Sequence, residues 1–195
     1  MTTATVVKVG GSLAESDAAA ALMRALAARR SPRLVVVPGG GDFADAVRLT
    51  ERRHPIGDQA AHHMALLAMH MSAVMLGTFA PGYVVAECPE EFDAAWQHDL
   101  TPVWAPERMV LAAPDVPASW DVTSDSLAAW LARAIAASRL VLVKSCLVPE
   151  AMNGDAAALA AAGIVDPSFP AFVAGATLSW RVVSGTAAAL RALED

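Results

Sequence analysis

The chain has 195 residues, a mean hydropathy of +0.43 and a net charge of −6 from 20 acidic and 14 basic groups. With 55% hydrophobic and only 17% charged residues it has ample apolar surface to offset chain entropy, which excludes a disordered or fibrous chain. The acidic balance argues against binding nucleic acid through its phosphate backbone, which calls for a basic excess.

Short β-branched runs alternate with alanine-rich stretches, the pattern of βαβ units and a parallel sheet covered on both faces. Roughly a quarter of the residues are alanine, so much helix is expected. The start of the chain lacks a basic region and a cleavage site, and a mature start is expected. Residues 5–9 read as the first strand and 17–28 as the first helix. The second strand, 34–37, ends at Pro38 and the triple glycine Gly39, Gly40 and Gly41. A helix follows over about 42–53, broken at 54–57, and Asp58 is placed to cap a long helix to 76. The apolar run 64–80 contains His70 and falls short of a ~20-residue membrane span, so it reads as a buried helix.

Farther along, 83–86 reads as a strand and 90–98 as a short acidic helix entered through Pro89. Residues 102–117 hold four prolines and two apolar pieces, 103–104 and 109–111, which predict short strands and turns. A helix over 124–137 precedes a strand over 140–144. A helix over about 154–162 ends at Gly163, which suits a C-cap. The strand 181–183 and the helix 186–193 finish a chain without internal repeat or linker, hence one α/β domain. Its cysteines, Cys88 and Cys146, lie far apart without a CxxC, so zinc ribbons and disulfide scaffolds are disfavoured and a reduced, cytoplasmic setting is expected.

Four features carry chemistry. Lys8-Val9-Gly10-Gly11-Ser12 closes the first strand, where glycines allow close backbone approach and N–H groups before a helix favour phosphate; a plain βα turn is the alternative. Pro38-Gly39-Gly40-Gly41 closes the second, and three glycines where a turn needs one suggest an anion held against the backbone. Only two lysines, Lys8 and Lys144, stand against twelve arginines, and each ends an apolar strand. Two ammonium groups near two glycine turns suit a phosphate chain; chance placement in an arginine-rich composition is the alternative. Finally, Asp121-Val-Thr123-Ser124-Asp125-Ser126 opens a helix. Asp121 or Thr123 could cap it, and Asp125 could hold the two lysines. His63 and His70, seven apart, fit packed or surface histidines better than a metal pair. Arg48, Arg52 and Arg53 either reach an anionic acceptor or are simply solvated. The five tryptophans suit a core or an oligomer interface.

Together, Val-Val-Lys8-Val-Gly10-Gly11-Ser12-Leu, Val-Val-Val-Pro38-Gly39-Gly40-Gly41 and Thr-Ser124-Asp125-Ser-Leu-Ala resemble the amino acid kinase superfamily, in that family's order. The strings Gln59-Ala-Ala-His62-His-Met, Trp120-Asp-Val-Thr-Ser-Asp125, Val143-Lys144-Ser145 and Gly163-Ile-Val-Asp166 look most like its methanofuran-biosynthesis members. Those kinases convert [5-(aminomethyl)furan-3-yl]methyl phosphate to its diphosphate. The resemblance implies a three-layer αβα sandwich with a central, mostly parallel sheet (carbamate kinase-like), an acceptor lobe over about 1–115 and a nucleotide lobe over about 116–195. It implies ATP with Mg²⁺, a small phosphomonoester acceptor, no membrane partner and no protein metal site. Lys8, Asp125 and Lys144 would be catalytic. Gly10, Gly11, Ser12, Thr123, Ser124, Lys144 and Ser145 would meet the nucleotide, and Gly39, Gly40, Gly41 and Arg48 the acceptor. Two departures stand out. Ser145-Cys146-Leu147-Val148-Pro149 replaces an Asp-Gly turn common in relatives, and Pro167 and Ser168 replace a late lysine. Either Lys144 or an arginine would then supply that charge, or the chain would bind nucleotide without catalysis. The apolar helix after Asp58 has surface to spare for a homodimer.

Overall fold

A computed structural model describes residues 3–14, 16–29 and 33–194; Met1 and Thr2, on which the expected mature start rests, lie outside them. The elements run β1 (Thr5–Val9), α1 (Gly11–Ala14), α2 (Asp17–Arg29), β2 (Leu34–Pro38), α3 (Gly41–Arg53), α4 (Asp58–Gly77), β3 (Tyr83–Ala86) and α5 (Pro89–Gln97). Then follow β4 (Thr101–Trp104), α6 (Glu107–Leu111), α7 (Ser124–Ala134), β5 (Arg139–Lys144), a 3₁₀ turn (Glu150–Met152), α8 (Ala156–Ala161), α9 (Phe169–Val173), β6 (Ser179–Ser184) and α10 (Gly185–Ala192).

Strand parity builds the three layers. In β1, β2 and β5 the residues Val6, Val35, Val37, Leu140 and Leu142 face one layer, which includes α7. Their neighbours Val7, Val9, Leu34, Val36, Val141 and Val143 face the other, with α2 and α10. Strands apolar on both faces are what a fully covered parallel sheet requires. Among the described residues the strands form one sheet of order β3-β4-β2-β1-β5-β6, and every pairing there is parallel. The chain leaves β1 toward β2 on one side and returns to β5 on the other, so the strand order reverses between β1 and β5. That reversal opens a crevice beyond the carboxyl ends of β1 and β5, the usual ligand position in such sheets.

Several expectations change. The apolar piece 109–111 lies in the helix α6, not a strand, because Pro106 starts a turn whose N–H groups bond backward. The helices α1 and α9 were not foreseen, being four and five residues long. The long helix α4 is buried on one side only; Leu67, Met71 and Val74 are exposed. Its N-cap is Gly57, and Asp58 is its first residue.

The triple glycine has a packing reason. The turn after β1 and the turn after β2 lie backbone against backbone, so a Cβ on Gly39 would overlap Gly11, and one on Gly11 would sit 2.6 Å from Gly41 N. A Cβ on Gly40 would overlap Ala44, and Gly41 has a left-handed φ of 51°. Ser72 Oγ adds a 3.3 Å hydrogen bond to Gly40 O. The excess of glycine is therefore accounted for by the loop contact at Gly39, by Ala44 at Gly40 and by backbone conformation at Gly41, whether or not an anion also binds there. Gly39→Ala is expected to lower stability by about 1–3 kcal/mol in urea unfolding. Gly77→Ala, with nothing within 4 Å of the new methyl, should instead raise it by about 0.5–1 kcal/mol.

Candidate functional site

Lys8, next to last in β1, and Lys144, last in β5, lie on the same face of the sheet, since they continue the series of Val6 and of Leu140 and Leu142. The first turn of α7 meets them there. Lys8 Nζ lies 2.8 Å from Asp125 Oδ1, and Lys144 Nζ donates to Asp125 Oδ2 at 2.5 Å. The Oδ1 contact is an ion pair without hydrogen-bond alignment, which leaves that oxygen with no aligned donor. Lys8 is 3% exposed and Asp125 4%, so the charges are taken out of water and depend on one another.

Burial alone would push the Asp125 carboxyl up, but the two ammonium groups outweigh it and hold it below its ordinary value. For Lys144, burial and then repulsion by Lys8 lower the pKa to about 8, against the opposing pull of Asp125 and Asp166. One carboxylate between two ammonium groups leaves a surplus of positive charge below that pH. An arrangement with such a surplus, next to two turns stripped of side chains, is suited to an anion.

The nearby loops are tied together. Gly10 N donates to Val143 O at 3.0 Å, and Gly39 N to Val9 O at 2.8 Å. Ser12 Oγ and Ser145 Oγ are 2.8 Å apart, joining the ends of β1 and β5. A pocket of about 260 Å³ opens between the β1 turn and α3, α4 and α7. Gly11, Ser12, Gly40, Gly41, Arg48, Thr123 and Ser124 line it. Lys8, Asp125, Lys144, Gly10, Gly39 and Ser145 do not; Gly39 is spent on the loop contact described above.

Arg48 is already engaged. Its guanidinium lies 2.6 Å from Asp45 and 4.4 Å from the centroid of the Trp120 ring, and Trp120 Nε1 donates to Glu51 at 2.6 Å. Arg48 is thus held at the pocket rim by a partner on each side. His62 also lines the pocket, its pKa lowered by burial and then by neighbouring His63. Sequence reasoning passed over it, although Asp58, His62, Leu66 and Met69 recur at helical spacing on one face of α4. His63 points elsewhere and meets Glu107 at 2.8 Å.

The capping expectation also needs correction. Thr123 occupies the N-cap of α7, but neither its side chain nor Asp121 caps the helix. Thr123 N, Thr123 Oγ1 and Ser126 N all donate to Asp166, which lies 40 or more residues away in sequence. Among the described residues no group of three or more His, Cys, Asp or Glu converges to hold a metal ion. No helix among them is long and apolar enough to cross a membrane.

Residues 3–146 match the model of the amino acid kinase family. A curated relative, the [5-(aminomethyl)furan-3-yl]methyl phosphate kinase of Methanocaldococcus jannaschii, is 26% identical over 141 residues; the match covers 70% of this chain and 63% of that protein's length. The fold is similar to uridylate kinase from Archaeoglobus fulgidus (TM-score 0.67, 16% identity, covering 93% of this chain and 91% of that one). It is also similar to aspartate kinase from Synechocystis (TM-score 0.66, 15% identity, 92% of this chain and 37% of that one).

The buried charges predict a pH signature in stability. Asp125 has a depressed pKa, so its contribution is present above the ordinary carboxylate range and is lost as acid protonates it in the folded state. Lys144 is the reverse of a paired base. Between about 8 and its ordinary 10.5 the unfolded chain binds the extra proton, so titration of this group raises stability as pH rises. Asp125→Ala removes the carboxylate that both buried lysines contact and should cost about 3–5 kcal/mol in urea unfolding at pH 7. Loss of Lys144 in Lys144→Met should flatten the slope of stability against pH from 8 to 10.

Proposed function

The chain belongs to the amino acid kinase family, and from that premise we propose that it transfers the γ-phosphoryl group of ATP to a phosphomonoester, giving a diphosphate. The acceptor we propose is [5-(aminomethyl)furan-3-yl]methyl phosphate, the compound for which the M. jannaschii relative is named. The observation that carries this reading is the buried pair of lysines sharing Asp125 at the carboxyl ends of β1 and β5.

In this reading Lys8 neutralises charge on the transferred phosphoryl group, and the N–H groups of Gly11 and Ser12 bind the same phosphates, that of Gly10 being taken up by Val143 O. Lys144 and Ser145 serve the nucleotide side, with Thr123 and Ser124 at the start of α7. Gly40, Gly41 and the N-terminus of α3 take the acceptor phosphate, whose second charge Arg48 meets. An acceptor phosphate oxygen attacks the γ-phosphorus as the bond to the ADP oxygen breaks. That oxygen is already ionised near neutral pH, so the chain supplies position and charge rather than a general base. Mg²⁺ would arrive with the nucleotide and be held through its phosphates and water, shielding their charge. With Pro167 and Ser168 in place of the late lysine, Lys144 supplies the second cation.

The pocket itself supports a small acceptor with an aromatic ring and an amine. Trp120 offers a ring face, Leu66, Met69 and Leu127 an apolar wall, and Asp45 and Asp58 carboxylates at the rim. The exposed Leu67, Met71 and Val74 of α4 support pairing of two copies. A cytoplasmic setting for this chemistry fits its two free cysteines.

Incubation with ATP, Mg²⁺ and a panel of acceptors tests the reading by ADP release. The aminomethylfuran phosphate is expected to turn over best. Preference for uridylate, isopentenyl phosphate or an amino acid carboxylate would move the chain to a sibling activity. Calorimetric ATP binding without ADP release for any acceptor would leave a nucleotide-binding subunit. Lys8→Ala is expected to lower kcat by about 10²–10³, the scale of a lost transition-state charge contact. Because kcat/KM reports the free enzyme, its alkaline limb should fall through the Lys144 pKa of about 8.

A further inference from the structure

A buried carboxylate outside the lysine cluster carries a role that the phosphoryl-transfer reading leaves unassigned. Asp166 is 7% exposed and sits between α8 and α9. Five donors converge on it. Oδ2 accepts from Thr123 N (2.9 Å), Thr123 Oγ1 (2.8 Å) and Ser126 N (3.0 Å). Oδ1 accepts from Ser126 Oγ (2.5 Å) and Phe169 N (2.9 Å). Every one of these donors is neutral.

We propose that Asp166 is the positioning residue of this site, gripping α7 on both sides of Asp125 so that Asp125 stands between Lys8 and Lys144. Thr123 and Ser126 bracket Asp125 in sequence, and together they leave the first turn of α7 little freedom to rotate or slide. A cap supplied by the N-cap residue would stabilise the helix without fixing where it lies. A cap supplied from a separate segment, some 40 residues on, fixes the helix against that segment as well. The grip ends at Phe169 N, the first residue of α9, whose ring is fully buried and packs edge-on against Trp180 at 5.5 Å between centroids. The segment bearing Asp166 is thereby anchored in the core.

The second part of the role is electrostatic. The charges acting on Lys144 are Lys8, which repels its proton, and Asp125 and Asp166, which retain it. Asp166 therefore helps to keep Lys144 cationic without touching it. Replacement by a neutral isostere removes that charge, so the titration of Lys144 reads this part of the role directly, while loss of a donor with the charge kept reads the grip on α7.

The role rests on the kinase reading for its use, but it can be tested without nucleotide or acceptor. The chain has only two lysines, so ¹³C-lysine labelling gives two side-chain signals, assigned by Lys144→Arg. In Asp166→Asn the midpoint of the Lys144 signal is expected to move to lower pH by roughly half a unit or more. Asp166→Glu, which keeps the charge, should lie closer to wild type. Circular dichroism establishes that each variant is folded. If Asp166→Asn is not, Ser126→Ala removes one donor with the charge intact, and its lysine signals are expected to shift. Lysine signals and midpoints unchanged in the folded variants would overturn the proposal. Shifted midpoints in a protein that phosphorylates no acceptor would uphold the positioning role and sink the kinase reading instead.

Discussion

One carboxylate shared by two buried ammonium groups is the constraint around which this molecule is arranged. Removing any of the three from water is costly, and only their mutual contact offsets it. The contact needs two strand ends and one helix start to meet at a point. Parity settles the strands: Lys8 and Lys144 follow Val6 and Leu142 on the face that α7 covers. The helix start is settled by Asp166 and its donors. Fold and site are thus one problem, since the layer that hides the core also delivers Asp125.

Much of this was legible in the sequence because it depends on local pattern. The β-branched runs before Lys8 and Lys144 gave both strands within a residue, and β1 and β3 with matching ends. Two lysines in a chain of twelve further cations, each closing an apolar run, could be matched to Asp125 at a helix start before any coordinates. The apolar alternation also indicated a sheet covered on both faces, and the pairings proved parallel throughout.

What was not legible depends on contacts between distant segments. The glycines of the two turns read as room for an anion, but that Gly11 and Gly39 are also needed where two loops touch could not be read from them. Nothing near Asp166 in sequence reveals that its partners are Thr123 and Ser126. His62 was obscured by His63, the more conspicuous member of a pair by its spacing to His70, although the period of α4 turns only His62 toward the pocket. Short helices such as α1, α6 and α9 lack the length for a periodic signal, and packing rather than propensity forms them.

The scarcity of lysine has a consequence for the outer face of the molecule. Among the described residues its exposed, permanently charged basic side chains are guanidinium groups, while Lys8 is enclosed and Lys144 is mostly so. Acylating reagents that attack free ε-amines therefore find almost nothing to modify on the folded surface. Uptake at the enclosed Lys8 becomes a clock for the opening of the cluster, set by how often the folded state breathes there rather than by reagent chemistry.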